Sequence, residues 1–159
     1  MTKAISRGLV LVAGMLAAQG TADPGSRLAE MAPATDPRLL RIKQYFLERE
    51  CPAHVYAEDF VTAADQNNLD WRLLPSLSMV ESTGGKTARN NNMFGWDNGN
   101  TGFRSWREGI YRLASRLNRS HLYRDKNLDA MLYTYNPRAE EKERVKMVMA
   151  QLGPDNLVP

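Results

Sequence analysis

The chain has 159 residues, a quarter of them charged and 43% hydrophobic, with a formal net charge of +3. That length suits one domain able to bury a single core and is too short for two. Cys51 is the only cysteine, which excludes an intramolecular disulfide and a zinc ribbon, and with only His54 and His121 as imidazoles no spacing suggests a metal site. No metal or other cofactor is expected.

In chain order, Lys3 and Arg7 precede an almost wholly apolar run from Gly8 to Ala18, and Gly20-Thr21-Ala22 offers a small-residue cleavage site. The apolar run, about eleven residues, falls short of the roughly 20 that cross a bilayer as a helix. Residues 1–22 therefore read as a cleaved signal peptide, which predicts a secreted or periplasmic protein with no stable membrane span. Without Lys3 and Arg7, 19 of the 21 basic residues stand against 18 acidic ones, so the charge says little about a polyanionic partner, and no nucleic-acid partner is expected.

Residues 23–35, rich in Ala, Pro and Gly, read as a flexible lead-in to a single domain over 36–159. Asp36-Pro37 opens a first helix that ends at Cys51-Pro52, with Leu39, Leu40, Ile42, Tyr45 and Phe46 as its apolar face. A second helix is expected from Val55 to Gln66. A third runs from Trp71, or from Leu74 because of Pro75, to Ser82, with Asp70 as cap and Gly84-Gly85 as stop. Leu73, Leu74, Leu77 and Val80 form its stripe, and Glu81 falls on that stripe, four residues after Leu77.

Residues 83–104 have no helical period and predict a long irregular loop or a small hairpin around Asn98-Gly99. Ser105 and Glu108 form a capping box for a helix reaching Asn118. A short helix at 128–135 ends before Pro137, and a last one at 138–152 buries Val145, Val148, Met149 and Leu152, with a Glu140/Arg144 pair outside. The fold class is all-α, with an α-dominated α+β domain as the alternative.

A carboxyl held among apolar side chains loses hydration of its charged form, which raises its pKa toward that of a general acid. Glu81 is therefore the leading catalytic candidate, although a structural Glu satisfied near the helix end fits the same pattern. Cys51 with His54 is a weak thiol candidate, because Cys51 lies at a helix end rather than at an N-terminus. The arginines 104, 107, 112, 116, 119 and 124 make a basic stretch that reads as a solvated helix face, with contact to an anionic polymer or nucleic acid as the alternative. Trp106 fits the core period, which leaves Trp96 as the preferred sugar-stacking ring.

In order and spacing, Leu73-Leu74-Pro75, Met79-Val80-Glu81-Ser82, Gly84-Gly85, Asn91-Asn92-Met93-Phe94-Gly95-Trp96 and Tyr133-Thr134-Tyr135-Asn136 resemble the glucosaminidase family of cell-wall lytic enzymes. This endo-β-N-acetylglucosaminidase-like group belongs to the lysozyme-like superfamily, and the likeness covers about residues 69–136. It implies a lysozyme-like helical domain in which Glu81 protonates the glycosidic oxygen, the 90–97 turn shapes the cleft floor and Tyr135 lies near the acid. It also implies Ser82, Asn92, Phe94, Gly95 and Asn136 as substrate-binding positions, and a substrate containing N-acetylglucosamine, most often peptidoglycan.

The sequence departs from the usual two-carboxylate arrangement of glycosidases. Between Glu81 and Ser105 only Asp97 offers a second acid. Without one in place, help from the sugar's acetamido group, or internal attack as in lytic transglycosylases, gains ground. The Tyr-Asn pair is shared with those transglycosylases, but their Gly-Leu-Met-Gln run after the catalytic Glu is absent, and Asn92-Met93-Phe94-Gly95 stands instead. A non-catalytic wall-binding module is the rival from another class.

Overall fold

The structure is a computed structural model that describes residues 35–157. The segment 1–22 expected to be a signal peptide, and all of the expected lead-in except Thr35, lie outside the described residues. Six α-helices and no strands make the domain all-α among those residues, as the sequence predicts. They are α1 (Pro37–Leu47), α2 (Ala57–Gln66), α3 (Leu73–Ser82), α4 (Trp106–Arg119), α5 (Leu128–Tyr135) and α6 (Ala139–Leu152). No described helix is long and apolar enough to cross a membrane.

The start of α1 follows its cap. The Asp36 carboxylate accepts from the Arg38 amide at 2.9 Å, and the Arg38 guanidinium bridges onward to Asp65 at 2.7 Å, tying the start of α1 to the end of α2. The helix stops at Leu47, earlier than Cys51-Pro52 predicts, because the chain turns at Glu50 (φ +52°) and the Cys51 amide returns to the Phe46 carbonyl at 2.8 Å. Pro52–Tyr56 then winds as a tighter 3-10 turn, so α2 begins at Ala57 rather than Val55. Leu40, expected inside, is half exposed.

Helix α3 is the centre of the domain. Leu73, Leu74, Pro75, Ser76, Leu77 and Ser78 are all buried, so this helix is enclosed on every side through its first turns. It packs chiefly against α6, and α2 packs against α1 and α4. The expected Asp70 cap is displaced: Arg72 occupies the cap position without a side-chain cap bond, and the Asp70 carboxylate accepts from the Arg72 amide at 2.9 Å ahead of the helix, which starts at Leu73. At the other end Thr83 takes the left-handed conformation (φ +54°), and the Gly84 amide closes back to the Ser78 carbonyl at 3.0 Å. Gly84 is required by contact: a Cβ there would sit 2.7 Å from the Cβ of Cys51.

The core draws Ile42 and Phe46 from α1, Phe60 from α2, Leu74 and Leu77 from α3, Ile110 and Leu117 from α4 and Leu152 from α6, all essentially inaccessible. Each contributes about 1.5–3 kcal/mol by leaving water. Met93 and Phe94 are equally buried, so the long loop is anchored in the core at its middle.

The loop 83–104 is irregular, and its one β-bridge pairs Arg89 with Asn92. The tight turn lies at Asn90-Asn91, both at positive φ, and not at Asn98-Gly99, which falls in a short 3-10 segment at Trp96–Gly99. Asn92, only 3% exposed, holds the loop together. Its side-chain amide donates to the carbonyls of Trp96 (2.9 Å) and Thr101 (2.8 Å), and its oxygen accepts from the amides of Trp96 (3.0 Å) and Phe94 (3.3 Å).

Ser105 caps α4 by accepting from the Glu108 amide at 3.1 Å, while the Glu108 carboxylate reaches the Arg104 amide at 2.7 Å, one residue before the position a capping box predicts. Helix α5 matches the expected span. The expected outer pair of α6 is replaced by Arg144 with Glu141, at 3.2 Å. Asn92→Ala should lower stability by about 1–3 kcal/mol, because it strands buried backbone groups at once. Denaturant unfolding checks this, with a lower midpoint at unchanged slope as the expected result.

Candidate active site

Glu81 is the penultimate residue of α3, where the enclosed helix emerges from the core, and it is half-buried. It opens onto a cleft of about 880 Å³ lined by Gly95, Trp96, Asp97 and Thr101 of the loop, Arg116 of α4, Tyr123, and Tyr135, Asn136 and Arg138 around the α5–α6 junction. Gly95 (φ +60°) presses its backbone against the carboxyl: a Cβ there would lie 2.7 Å from Glu81 Oε2. A residue without a side chain is what lets the loop close over the acid.

Burial is the largest cause that raises the Glu81 pKa above the ordinary glutamate range, and the negative charge of Glu141 adds to it. A hydrogen bond from Asn136 and the charges of Arg138 and Arg144 pull the other way without cancelling it. Tyr135 is held by its O–H, which donates to the Phe94 carbonyl at 2.5 Å and fastens the end of α5 to the loop. Burial, then the neighbouring Glu81 and Tyr123, push its phenol well above the usual tyrosine range, so it stays a neutral donor.

Trp96 forms the aromatic wall. Its ring centre lies 5.8 Å from that of Tyr135 and 6.2 Å from that of Tyr123, and the Arg116 guanidinium sits 5.6 Å over it. Asp97 is exposed on the cleft rim in a left-handed conformation (φ +55°), with Oδ2 accepting from the Thr101 hydroxyl at 3.2 Å.

Six residues singled out from the sequence, Glu81, Gly95, Trp96, Asp97, Tyr135 and Asn136, line this one cleft. Three others sit behind its wall and are not placed to touch a ligand. Ser82 is buried, donating to the Met93 carbonyl at 2.6 Å and accepting from the Gly85 amide at 3.0 Å. Asn92 spends its hydrogen bonds on the loop, and the Phe94 ring is fully buried in the core. All three build the cleft from within.

Arg116, Tyr123 and Arg138 line the cleft without having been singled out as site residues. Arg116 belongs to the basic stretch read as a solvated face, and Arg138 follows Asn136 by two residues. Tyr123 lies beyond the end of α4 and carries no local signal. The thiol alternative is removed by geometry: Cys51 is fully buried, burial raises its thiol pKa, and His54 Nδ1 lies 2.9 Å from the Cys51 backbone oxygen. Among the described residues no group of three His, Cys, Asp or Glu is placed to hold a metal ion.

Comparison of the chain with protein-family models, with curated proteins and with solved structures finds no match.

A carboxyl whose pKa is raised by folding stabilises the fold only while protonated, and that contribution is lost as the pH rises through the raised pKa. Glu81→Gln, which mimics the protonated form, should therefore raise the melting temperature at neutral pH. Near pH 3, about one unit below the ordinary glutamate pKa, the gain should vanish because both folded and unfolded Glu81 are protonated there. Thermal melts of both proteins across that range check it.

Proposed function

We propose that this protein is an exported glycoside hydrolase that cleaves the β-1,4 glycan of peptidoglycan, in the manner of an endo-β-N-acetylglucosaminidase. The observation that carries the reading is a half-buried carboxyl, raised in pKa by burial, at the end of an open cleft walled by Trp96, Tyr123 and Tyr135. An open groove accommodates a chain of sugar rings, and Trp96, backed by the more deeply set Tyr123 and Tyr135, offers an indole on which the apolar face of a sugar can stack. The motif resemblance over residues 69–136 points to the same chemistry, and the position of Glu81 at the emerging end of α3 supports the reading.

Glu81, protonated, gives its proton to the glycosidic oxygen as the bond to the anomeric carbon breaks, so the leaving sugar departs as a neutral alcohol. Asn136 hydrogen-bonds the carboxyl and the Gly95 backbone packs against it. The Tyr135 hydroxyl is committed to the Phe94 carbonyl, so its part is to position the loop over the acid. Asp97 is the other carboxylate of the cleft and takes the role of base for the attacking water. A proton lost by water to Asp97 and one given by Glu81 leave the balance even.

Digestion of purified peptidoglycan by the protein and by Glu81→Gln, with mass spectrometry of the soluble products, tests the reading. The expected result is fragments with reducing N-acetylglucosamine ends from the parent and at least about a hundredfold less from the variant. Anhydro-muramic ends would transfer the protein to the transglycosylases, in which the substrate's own hydroxyl attacks. Equal binding to the wall by both proteins with no release would make it a binding module and Glu81 structural.

A further inference from the structure

Resting on the glycan-cleaving reading, we propose that the cleft selects glycans that carry carboxylates, and that Arg116 and Arg138 are the residues that recognise them. Arg116 lies at the Trp96 side, with its guanidinium over the indole, and Arg138 lines the cleft from the α5–α6 junction, beside Asn136. Both are exposed.

Most arginines of the domain are already engaged. Arg38 holds Asp36 and Asp65, Arg72 holds Asp70, Arg107 holds Asp59, Arg112 holds Glu108 and Arg144 holds Glu141. Among the described residues neither Arg116 nor Arg138 forms an ion pair, although Glu81 and Asp97 line the same cleft. Arg41, Arg89 and Arg119 are also unpaired but do not line it.

The charge balance gives this arrangement direction. A proton donor must be neutral when substrate binds, so Glu81 contributes no charge in the productive state. Two guanidinium groups then face the single carboxylate of Asp97, and the cleft is cationic in a chain whose basic and acidic side chains are otherwise close to balance. A neutral glycan would leave both guanidinium groups unused. A carboxylate matches the planar fork of either one. The Trp96 ring orients Arg116 along the wall on which a sugar stacks, so sugar ring and carboxylate are read side by side.

Carboxylates of this kind occur on the lactyl and peptide substituents of wall glycan, or within the backbone of a uronic-acid polymer. The test uses calorimetric binding in the Glu81→Gln background, which holds ligand without turnover. The probes are a peptide-bearing wall tetrasaccharide, a tetrasaccharide alternating N-acetylglucosamine with glucuronic acid, and neutral chitotetraose.

The expected result is about tenfold tighter binding of a carboxylated probe than of chitotetraose, with that preference lost in Arg116→Gln/Arg138→Gln and weakened by added salt. Preference for the wall probe alone assigns the carboxylate to the substituents, and preference for the uronate probe assigns it to the backbone. Equal affinity for all three probes, before and after the arginine changes, overturns the proposal and leaves the glycan reading standing. No binding of any probe overturns both.

Discussion

The contact on which the site depends is the one between the Glu81 carboxyl and the backbone of Gly95. Two opposed demands meet there. A general acid needs enough burial to hold its proton near neutrality, yet it must remain open to the bond it protonates. Helix α3 satisfies the first by being enclosed through Ser78 and emerging only in its last turn, and the loop satisfies the second by approaching with a residue that has no side chain.

The loop can do this because it is not loose. Met93 and Phe94 root it in the core, Ser82 pins the Met93 carbonyl, Asn92 ties four backbone groups together, and Tyr135 reaches across from α5 to the Phe94 carbonyl. The polar residues with short bonds to this segment act as its scaffold, and the more accessible groups that line the cleft are Glu81, Trp96, Asp97, Arg116 and Arg138. Lining the cleft and holding its wall are thus divided between residues that neighbour one another in sequence. Ser82 beside Glu81, and Phe94 beside Gly95, show how closely the two tasks alternate.

Much of this was legible in the sequence because the signals were local. Caps at Asp36 and Ser105 mark where helices begin, and apolar spacing on α3 and α6 identifies what they bury. Glu81 stood out as a carboxylate on an apolar stripe. What was less legible depends on distant contacts. The early end of α1 comes from the Cys51 amide returning to Phe46, and Asn98-Gly99 does not make a hairpin because Asn92 bonds to Trp96 and Thr101 instead. Ser82, Asn92 and Phe94 belong to the motif yet face inward, since a motif records which residues a site needs and not which of them touch the ligand. Tyr123 and Arg138 enter the cleft only because α4, α5 and α6 converge there.

The acid itself gives the most direct test: the pH dependence of kcat/KM for glycan cleavage by the parent and by Glu141→Gln. A general acid must be protonated in the free enzyme, so activity falls as the pH rises through its pKa. The expected result is an alkaline limb above the ordinary glutamate value of about 4.3. In Glu141→Gln, which removes a negative charge acting on Glu81, that limb moves to lower pH. A limb at the ordinary glutamate value, or one that stays in place when Glu141 is neutralised, would contradict the assignment of Glu81 as the proton donor.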